Sequence, residues 1–185
     1  VSDSFRYTGI DRVLPHLLAD LNQRGIDEKS VFFLFATGVH RAPTPEEQAQ
    51  ILGLDLYKRF ADRAFSHDAW DEEMLAEVGT TSRGTKVRVN RRLLECDRIY
   101  VTGTVVMHYF AGFGGGRKSI LPGLSAADTI SQNHSLNLDP IHDRLNPNVC
   151  IGVLDGNPVA EDMQEGASFV PVDGIINTVL DKTSE

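Results

Sequence analysis

Apolar residues along this chain recur with two different spacings. Between residues 11 and 24 they return every three or four positions, which predicts an amphipathic helix that ends at Gly25. Residues 31–36 form a continuous apolar and aromatic run, which is typical of a buried parallel strand. Thr44, Pro45 and Glu47 then supply the cap, the first-turn proline and the acidic third position of a helix start.

The same pattern of short elements continues to the end of the chain. Helices are predicted at residues 44–52, 56–64, 91–96, 125–131 and 159–166, and strands at residues 85–89, 98–106, 149–154 and 174–180. Strands that alternate with helices indicate an α/β fold, here a three-layer domain with a largely parallel central sheet flanked by helices. We expect residues 1–185 to form a single domain, because the chain is too short for two sizeable cores.

Composition narrows the possible partners. The chain carries a formal net charge of −8, which argues against general nucleic-acid binding. Its apolar runs are too short to cross a bilayer and its first residues do not resemble a secretory leader, so we expect a cytoplasmic protein without membrane contact. Cys96 and Cys150 lie far apart without metal-like spacing, and we expect both to be reduced thiols.

The densest candidate chemistry lies at residues 108–119, which combine a histidine, a glycine-rich stretch, an arginine and a lysine. Glycine lets the backbone approach a ligand, and N–H groups of such a turn at a helix start bind anions. A nucleotide-hydrolysing P-loop does not fit, because Arg117 stands where that pattern requires glycine. The alternative is a tight turn without a ligand, although such a turn seldom needs three consecutive glycines.

Three histidines accompany this segment. His40 and His108 each follow a predicted strand, and parallel α/β sheets bind ligands outside the carboxyl ends of their strands. The pair could converge on one crevice and transfer protons near neutral pH, or each ring could simply be satisfied by local hydrogen bonds. His134 is either a metal ligand or a helix C-terminal residue. The remaining histidines are expected at the surface: His16, His67 and His142.

Three stretches carry a resemblance to a known family. The first is His-Tyr-Phe-Ala-Gly-Phe-Gly-Gly-Gly-Arg-Lys-Ser-Ile-Leu-Pro-Gly at residues 108–123, with Asn133-His134 ten residues further on. The second is Thr-Gly-Val-His-Arg-Ala-Pro-Thr-Pro-Glu-Glu at residues 37–47, and a weaker third is Ser-Asp-Ser-Phe-Arg at residues 2–6. Together they resemble the lactate racemase family, whose enzymes use a nickel-pincer nucleotide. The resemblance implies that the chain is the central part of the N-terminal, cofactor-binding domain of a longer two-domain protein, whose second domain would close over the substrate.

The resemblance also implies how the cofactor would be held. Lys118 would carry the nickel-pincer nucleotide through a thioamide between the lysine side chain and the pyridinium ring. His134 would be the protein ligand to nickel, completing a planar set with two sulfurs and one carbon of the cofactor, a geometry that suits Ni(II). The cofactor phosphate would contact two side chains and three backbone amides: Asp3, Arg6, Gly114, Gly115 and Gly116.

The implied activity is that of a 2-hydroxy-acid racemase or epimerase. His40 and His108 would be the acid–base pair on opposite faces of the substrate, whose C2 hydrogen would leave as hydride towards an electron-poor acceptor. Its partners would be a small 2-hydroxy acid and the proteins that synthesise the cofactor. The alternative is a non-catalytic nucleotide- or phosphate-binding module on the same fold, which needs the glycine loop but not the convergence of three histidines.

Overall fold

The computed structural model describes residues 8–181 of the chain. The helices are α1 (Leu14–Gln23), α2 (Pro45–Leu52), α3 (Leu54–Phe60), α4 (Ala127–Ser135) and α5 (Pro158–Ser168). The strands are β1 (Phe33–Phe35), β2 (Ala64–Ser66), β3 (Leu75–Thr80), β4 (Lys86–Asn90), β5 (Tyr100–Thr104), β6 (Met107–His108), β7 (Gly112–Phe113) and β8 (Gly174–Thr178). Across these described residues, every helix is too short or too polar to cross a membrane.

The strand pairs that join distant parts of the chain are parallel. β1 pairs with β2 across the segment that contains α2 and α3, and β5 pairs with β8 across the segment that contains α4 and α5. The β5–β8 register runs from Tyr100 opposite Gly174 to Thr104 opposite Thr178. The antiparallel pairs, β3–β4 and β6–β7, are local hairpins. Parallel strands need long crossovers, which the helices provide here.

Burial of β1 on both faces sets the layers. Phe33 and Phe35 pack among apolar residues of α1, α2 and α3, whereas Leu34 packs with residues of β4, β5 and α5. Successive side chains of a strand point to opposite faces, so three consecutive buried residues need cover on both sides. A third apolar cluster joins α4 to α5. The predicted α/β fold, with parallel strands flanked by helices, is confirmed.

α2 begins where its sequence signals predict. The hydroxyl of Thr44 accepts a hydrogen bond from the Glu47 amide, and the Glu47 carboxylate accepts one of 2.8 Å from the Thr44 amide. This reciprocal pair satisfies two amides that the first helical turn leaves without a partner, and Pro45 has no amide to satisfy. Arg41 adds two 2.6 Å bonds to the same carboxylate, which ties the preceding loop to the helix.

The predicted strand at residues 149–154 is wrong. The Cys150 amide donates to the carbonyl of Asn148 and the Asn157 amide to that of Leu154, so the backbone folds into successive turns. Ile151 is 57% exposed. An apolar run forms a strand only where another strand can pair with it. None of the described strands pairs with this segment.

Other boundaries differ from the sequence prediction because short elements carry weak local signals. The predicted helix at residues 56–64 ends at Phe60, and β2 follows within four residues. β3 lies in a polar stretch where the sequence predicted no strand. Most of its side chains are partly or fully exposed, which explains the polar sequence. The glycine loop leads into a 3₁₀ turn at Gly116–Ser119, and the predicted helix at residues 125–131 begins at Ala127.

His67 is buried, which corrects its predicted place at the surface. Only 3% of the residue is exposed. Its Nε2 lies 2.9 Å from the Ser125 carbonyl, and its Nδ1 lies 3.1 Å from the side-chain amide of Asn90. The ring therefore donates from Nε2 and accepts at Nδ1, and it joins the end of β2 to the end of β4.

Candidate active site

A cleft of about 380 Å³ opens at the carboxyl ends of β1 and β5. This is the edge at which parallel α/β sheets bind ligands. The four candidate side chains that fall among the described residues all line it: His40, His108, Lys118 and His134. The structure thus brings together residues that are up to 94 positions apart in the sequence, between His40 and His134. Their roles remain predictions.

The turn after β1 carries His40 to the mouth of the cleft, where its side chain is exposed. The Gly38 amide donates to the Gly123 carbonyl at 2.8 Å, and the His40 amide donates to Thr37. Gly38 has a φ of 55°, and a Cβ there would lie 3.4 Å from the Pro122 carbonyl oxygen. The His40 turn is therefore fixed to the end of the segment that contains the glycine loop.

His108 is held by the turn that follows it. Its Nδ1 accepts hydrogen bonds from the amides of Phe110 at 3.2 Å and Ala111 at 3.1 Å. A ring nitrogen that accepts a hydrogen bond carries no proton, so the proton of the neutral ring lies on Nε2. The half-buried ring also stacks on Tyr109, with centroids 4.8 Å apart. The neutral ring in this position offers an N–H group as donor.

His134 shows the opposite arrangement. Its Nδ1 lies 2.9 Å from the Ile130 carbonyl, one turn earlier in α4, so Nδ1 donates and Nε2 keeps its lone pair. Burial lowers the pKa of His134; the bond to Ile130 partly offsets this shift and the charge of Lys118 reinforces it. A neutral imidazole with a lone pair on Nε2 is the form that binds a metal. The edge of the Phe110 ring packs on His134 with centroids 5.6 Å apart.

Lys118 lies in the 3₁₀ turn at Gly116–Ser119 and is half-buried in the cleft wall. Its amide donates to the Gly115 carbonyl, and its own carbonyl accepts from the Gly123 amide at 2.9 Å. Both bonds are local, so the backbone that presents the lysine is fixed before any ligand binds. A half-buried amine in a cleft can be attached covalently to a bound group, as Schiff-base lysines are.

The three glycines before Lys118 pack against β5 and β8. A Cβ on Gly115 would lie 2.8 Å from the Asn177 side-chain oxygen, and one on Gly103 would lie 2.9 Å from the Gly115 Cα. The Gly114 amide donates to Val106 at 2.7 Å, and the Gly116 amide donates to Asn177 at 2.9 Å. Two of the three amides predicted to contact a phosphate therefore already have partners inside the protein.

The other predicted phosphate contacts, Asp3 and Arg6, lie outside the described residues. Thr8 is the first residue described, and it lines the same cleft. Its carbonyl accepts a hydrogen bond from the hydroxyl of Thr178, at the carboxyl end of β8. The described residues thus begin at the edge where the other candidate residues meet.

Comparison with known proteins places this cleft in a family. The model of the lactate racemase N-terminal domain matches residues 1–144. The chain belongs to the lactate racemase family. It is 34% identical to the lactate racemase of Thermoanaerobacterium thermosaccharolyticum over 170 residues, which cover 92% of this chain and 38% of that protein. It is 32% identical to the lactate racemase of Lactiplantibacillus plantarum over 182 residues, covering 98% and 41% respectively.

Two solved structures agree with the architecture of this chain. The lactate racemase apoprotein from Thermoanaerobacterium thermosaccharolyticum matches with a TM-score of 0.86 at 33% identity, over 97% of this chain and 41% of that one. A protein from Thermotoga maritima matches with a TM-score of 0.75 at 25% identity, over 100% and 46%. The chain therefore spans about two fifths of the length of the lactate racemases that it matches.

A buried polar cluster that the sequence did not predict supports the cleft. Asp162 in α5 is fully buried and accepts hydrogen bonds from the hydroxyls of Thr81 and Thr85 and from the side-chain amide of Asn133. Asn133 directly precedes His134. The cluster therefore ties the helix that carries His134 to α5 and to the β3–β4 hairpin. The Asn-His pair was visible in the sequence, but the hydrogen-bond partners of the Asn133 side chain, Val159 and Asp162, lie 26 and 29 residues away.

Proposed function

We propose that this chain is the cofactor-binding domain of a 2-hydroxy-acid racemase or epimerase that transfers hydride to a lysine-tethered nickel-pincer nucleotide. The observation that carries the proposal is the single cleft lined by His40, His108, Lys118 and His134. A module that only binds a nucleotide needs the glycine loop alone. Three histidines and a lysine around one cleft supply a proton-transfer pair, a metal ligand and a covalent anchor.

The residues present suit that cofactor. His134 offers a neutral Nε2 lone pair, and Lys118 lies in the same cleft. Among residues 8–181 there is no group of three or more histidine, cysteine or acidic side chains that could enclose a metal. A nickel ion bound to His134 would thus take further ligands from the cofactor itself. When bound, the cofactor supplies an electron-poor ring carbon that accepts hydride from the substrate.

The two remaining histidines would handle the substrate proton. A 2-hydroxy acid that loses hydride from C2 must also release its hydroxyl proton, and the proton must return after the flat keto acid has presented its other face. A positioned histidine performs either transfer. His40 lies at the exposed mouth, and His108 presents Nε2–H in its neutral form. In this tautomer His108 can offer a substrate oxygen a hydrogen bond from Nε2–H. Transfer of a proton at Nε2, in either direction, requires a proton on Nδ1 and therefore a ring that has left the two amides.

The alternative is a non-catalytic phosphate-binding module. It would rely on the amides of Gly114, Gly115 and Gly116 as anion donors. Those of Gly114 and Gly116 already donate to Val106 and Asn177. Phosphate binding there would have to displace a protein acceptor, and the same holds for the phosphate of the cofactor. The enzyme is favoured over the module because three histidines and Lys118 line one cleft, which a phosphate-binding module does not need.

The decisive test is the intact mass of the full-length protein after co-expression with cofactor-synthesis proteins. We expect a covalent adduct of the cofactor's mass on the wild type, mapped to Lys118 by peptide digestion. Lys118→Arg should carry none, because a guanidinium cannot form the thioamide. Lys58→Arg, at an exposed site on α3, should load like the wild type. An unmodified wild type in the presence of active synthesis proteins would count against the proposal.

A further inference from the structure

We propose that Asn157 and Arg117 are positioning residues for His108, which they orient through the turn at residues 109–111. The inference rests on the proposed function, in which His108 handles a substrate proton. Neither residue touches the imidazole. Asn157 donates a hydrogen bond to the Phe110 carbonyl, and Arg117 donates one to the Ala111 carbonyl. Phe110 and Ala111 are the two residues whose amides bind the His108 ring.

The ring of His108 is held through its Nδ1 atom. Nδ1 of His108 is kept unprotonated by the amides of Phe110 and Ala111, which approach it together. The two amides point at one atom only while the backbone of the turn keeps its present direction. A turn that rotated would release Nδ1, and the neutral proton could then move from Nε2 to Nδ1.

The carbonyl groups of the turn are held as well. The Phe110 carbonyl accepts a hydrogen bond of 2.8 Å from the side-chain amide of Asn157, and the Ala111 carbonyl accepts one of 2.9 Å from Arg117. Both residues that bind His108 through N–H are thus anchored through C=O. The turn is held from two separate elements, the start of α5 and the 3₁₀ turn that carries Lys118.

Asn157 cannot easily adopt another position. It is fully buried, and its amide nitrogen also donates to Val153 at 3.0 Å. Its side-chain oxygen accepts from the amides of Val159 and Ala160 and so caps α5. Every polar atom of the side chain is therefore engaged, which makes it a rigid support for the Phe110 carbonyl.

The burial of the Arg117 side chain is energetically unfavourable. Its guanidinium is half-buried, its Nε is buried without a hydrogen-bond partner, and no carboxylate among residues 8–181 forms a salt bridge with it. Burying an unpaired charge is unfavourable, so a purely structural site would favour an apolar residue. The long planar donor is explained by the carbonyl that it reaches at Ala111.

The turn also contacts His134, another histidine of the cleft. The Phe110 ring packs edge-on against His134. The hydrogen bond that anchors the Phe110 carbonyl therefore also restrains the ring that packs on His134, the candidate metal ligand. Asn157 and Arg117 together support both rings from outside the cleft.

The test uses selective ¹⁵N labelling of histidine in the full-length protein, without cofactor. Long-range ¹H–¹⁵N spectra report which ring nitrogen is protonated, and His108→Gln assigns the His108 signals. The wild type should show an unprotonated Nδ1. Asn157→Ser keeps an oxygen for the α5 cap but lacks the amide donors, and Arg117→Met lacks the guanidinium; both should show a mixture of His108 tautomers. Leu18→Ala, a core change remote from the turn, should lower thermal stability and leave the His108 signals unchanged.

In the loaded enzyme, both variants should lose about 10–100-fold in kcat with little change in KM, because a ring that is no longer held in one orientation presents Nε2 to the substrate for only part of the time. If Asn157→Ser does not fold, Arg117→Met carries the test alone. Wild-type His108 signals in every folded variant would overturn the positioning role. A wild type that shows the expected tautomer but never racemises a 2-hydroxy acid would overturn the proposed function and leave the positioning role standing.

Discussion

His108 and His134 use the same ring atom, Nδ1, in opposite ways. In His134 it donates to the Ile130 carbonyl, and in His108 it accepts two amides. Nε2 therefore carries a lone pair in one ring and a proton in the other. The first suits a metal ligand and the second suits a donor to substrate. The sequence places both histidines at the cleft, but it does not contain their tautomers, because these depend on the backbone around each ring.

His67 gives the fold a pH dependence near neutrality. Burial lowers its pKa below the ordinary value of 6.5, while the bond to Ser125 and the charge of Asp68 oppose the shift. As pH falls through 6.5, the unfolded chain binds the proton before the folded one does, so the stability is fully present above that value and is lost below it. We expect the urea midpoint to fall between pH 7.5 and about 5.5, and His67→Gln to reduce that fall.

His16→Gln is the matched control, because His16 is exposed on α1 and should leave the fall unchanged. The chosen range also avoids the carboxylates. A hydrogen bond from the Ile141 amide, with further bonds from Arg144 and His142, lowers the pKa of Asp139 to about 2, so the contribution of this carboxylate is lost only in stronger acid. Equal falls in the wild type and in His67→Gln would show that His67 is not the titrating group.

At the scale of elements, the β6–β7 hairpin depends on one close approach. Gly112 has a φ of 70°, and a Cβ there would lie 2.1 Å from the Val153 carbonyl oxygen. Gly112→Ala should cost about 2–5 kcal/mol in the free energy of unfolding, from backbone strain plus overpacking. Gly84→Ala, at a φ of 87° with open space around it, should cost only the strain, about 1–2 kcal/mol. Urea denaturation measures both, and equal costs would contradict the predicted contact.

Elements with strong local signals were predictable and those defined by distant partners were not. Thr44, Pro45 and Glu47 fix the start of α2 within four residues, so its sequence suffices. β2 has three half-buried residues and becomes a strand only through its pairing with β1, more than 25 residues away. The apolar run at residues 149–154 pairs with none of the described strands and stays a series of turns. Its Val153 carbonyl accepts a hydrogen bond from the Asn157 side chain, and its Gly152 amide donates one to the Gly112 carbonyl.

At the scale of the whole molecule, the cleft exists because the strand order brings four separate segments to one edge. Sequence motifs predicted a site at His40, His108, Lys118 and His134, and the structure places all four beside this cleft. The supports of the site were not predictable. Asn157 reads in sequence as part of a turn, and its role depends on a contact with Phe110, 47 positions earlier. Sequence motifs locate the candidate reactive side chains, whereas the residues that hold those side chains in place are found only from the folded structure.

The proposed division of labour predicts two classes of variant in the full-length, cofactor-loaded enzyme. His40→Gln and His108→Gln should retain the cofactor but lose about 10²–10⁴-fold in racemisation, the usual cost of removing a positioned acid–base group. His134→Ala should lose nickel first and activity as a consequence, because its Nε2 is the lone pair offered to the metal. Circular dichroism of a 2-hydroxy acid follows racemisation, and elemental analysis follows nickel.

His142→Gln is the control for these variants, since His142 is exposed, lies outside the cleft lining and pairs with Asp139. It should match the wild type in nickel content and in rate. A loss of nickel in His108→Gln equal to that in His134→Ala would mean that His108 holds the cofactor rather than the substrate proton. Wild-type rates in both His40→Gln and His108→Gln would remove the two-histidine mechanism even with nickel in place, because the hydroxyl proton would then be transferred by a group outside this pair.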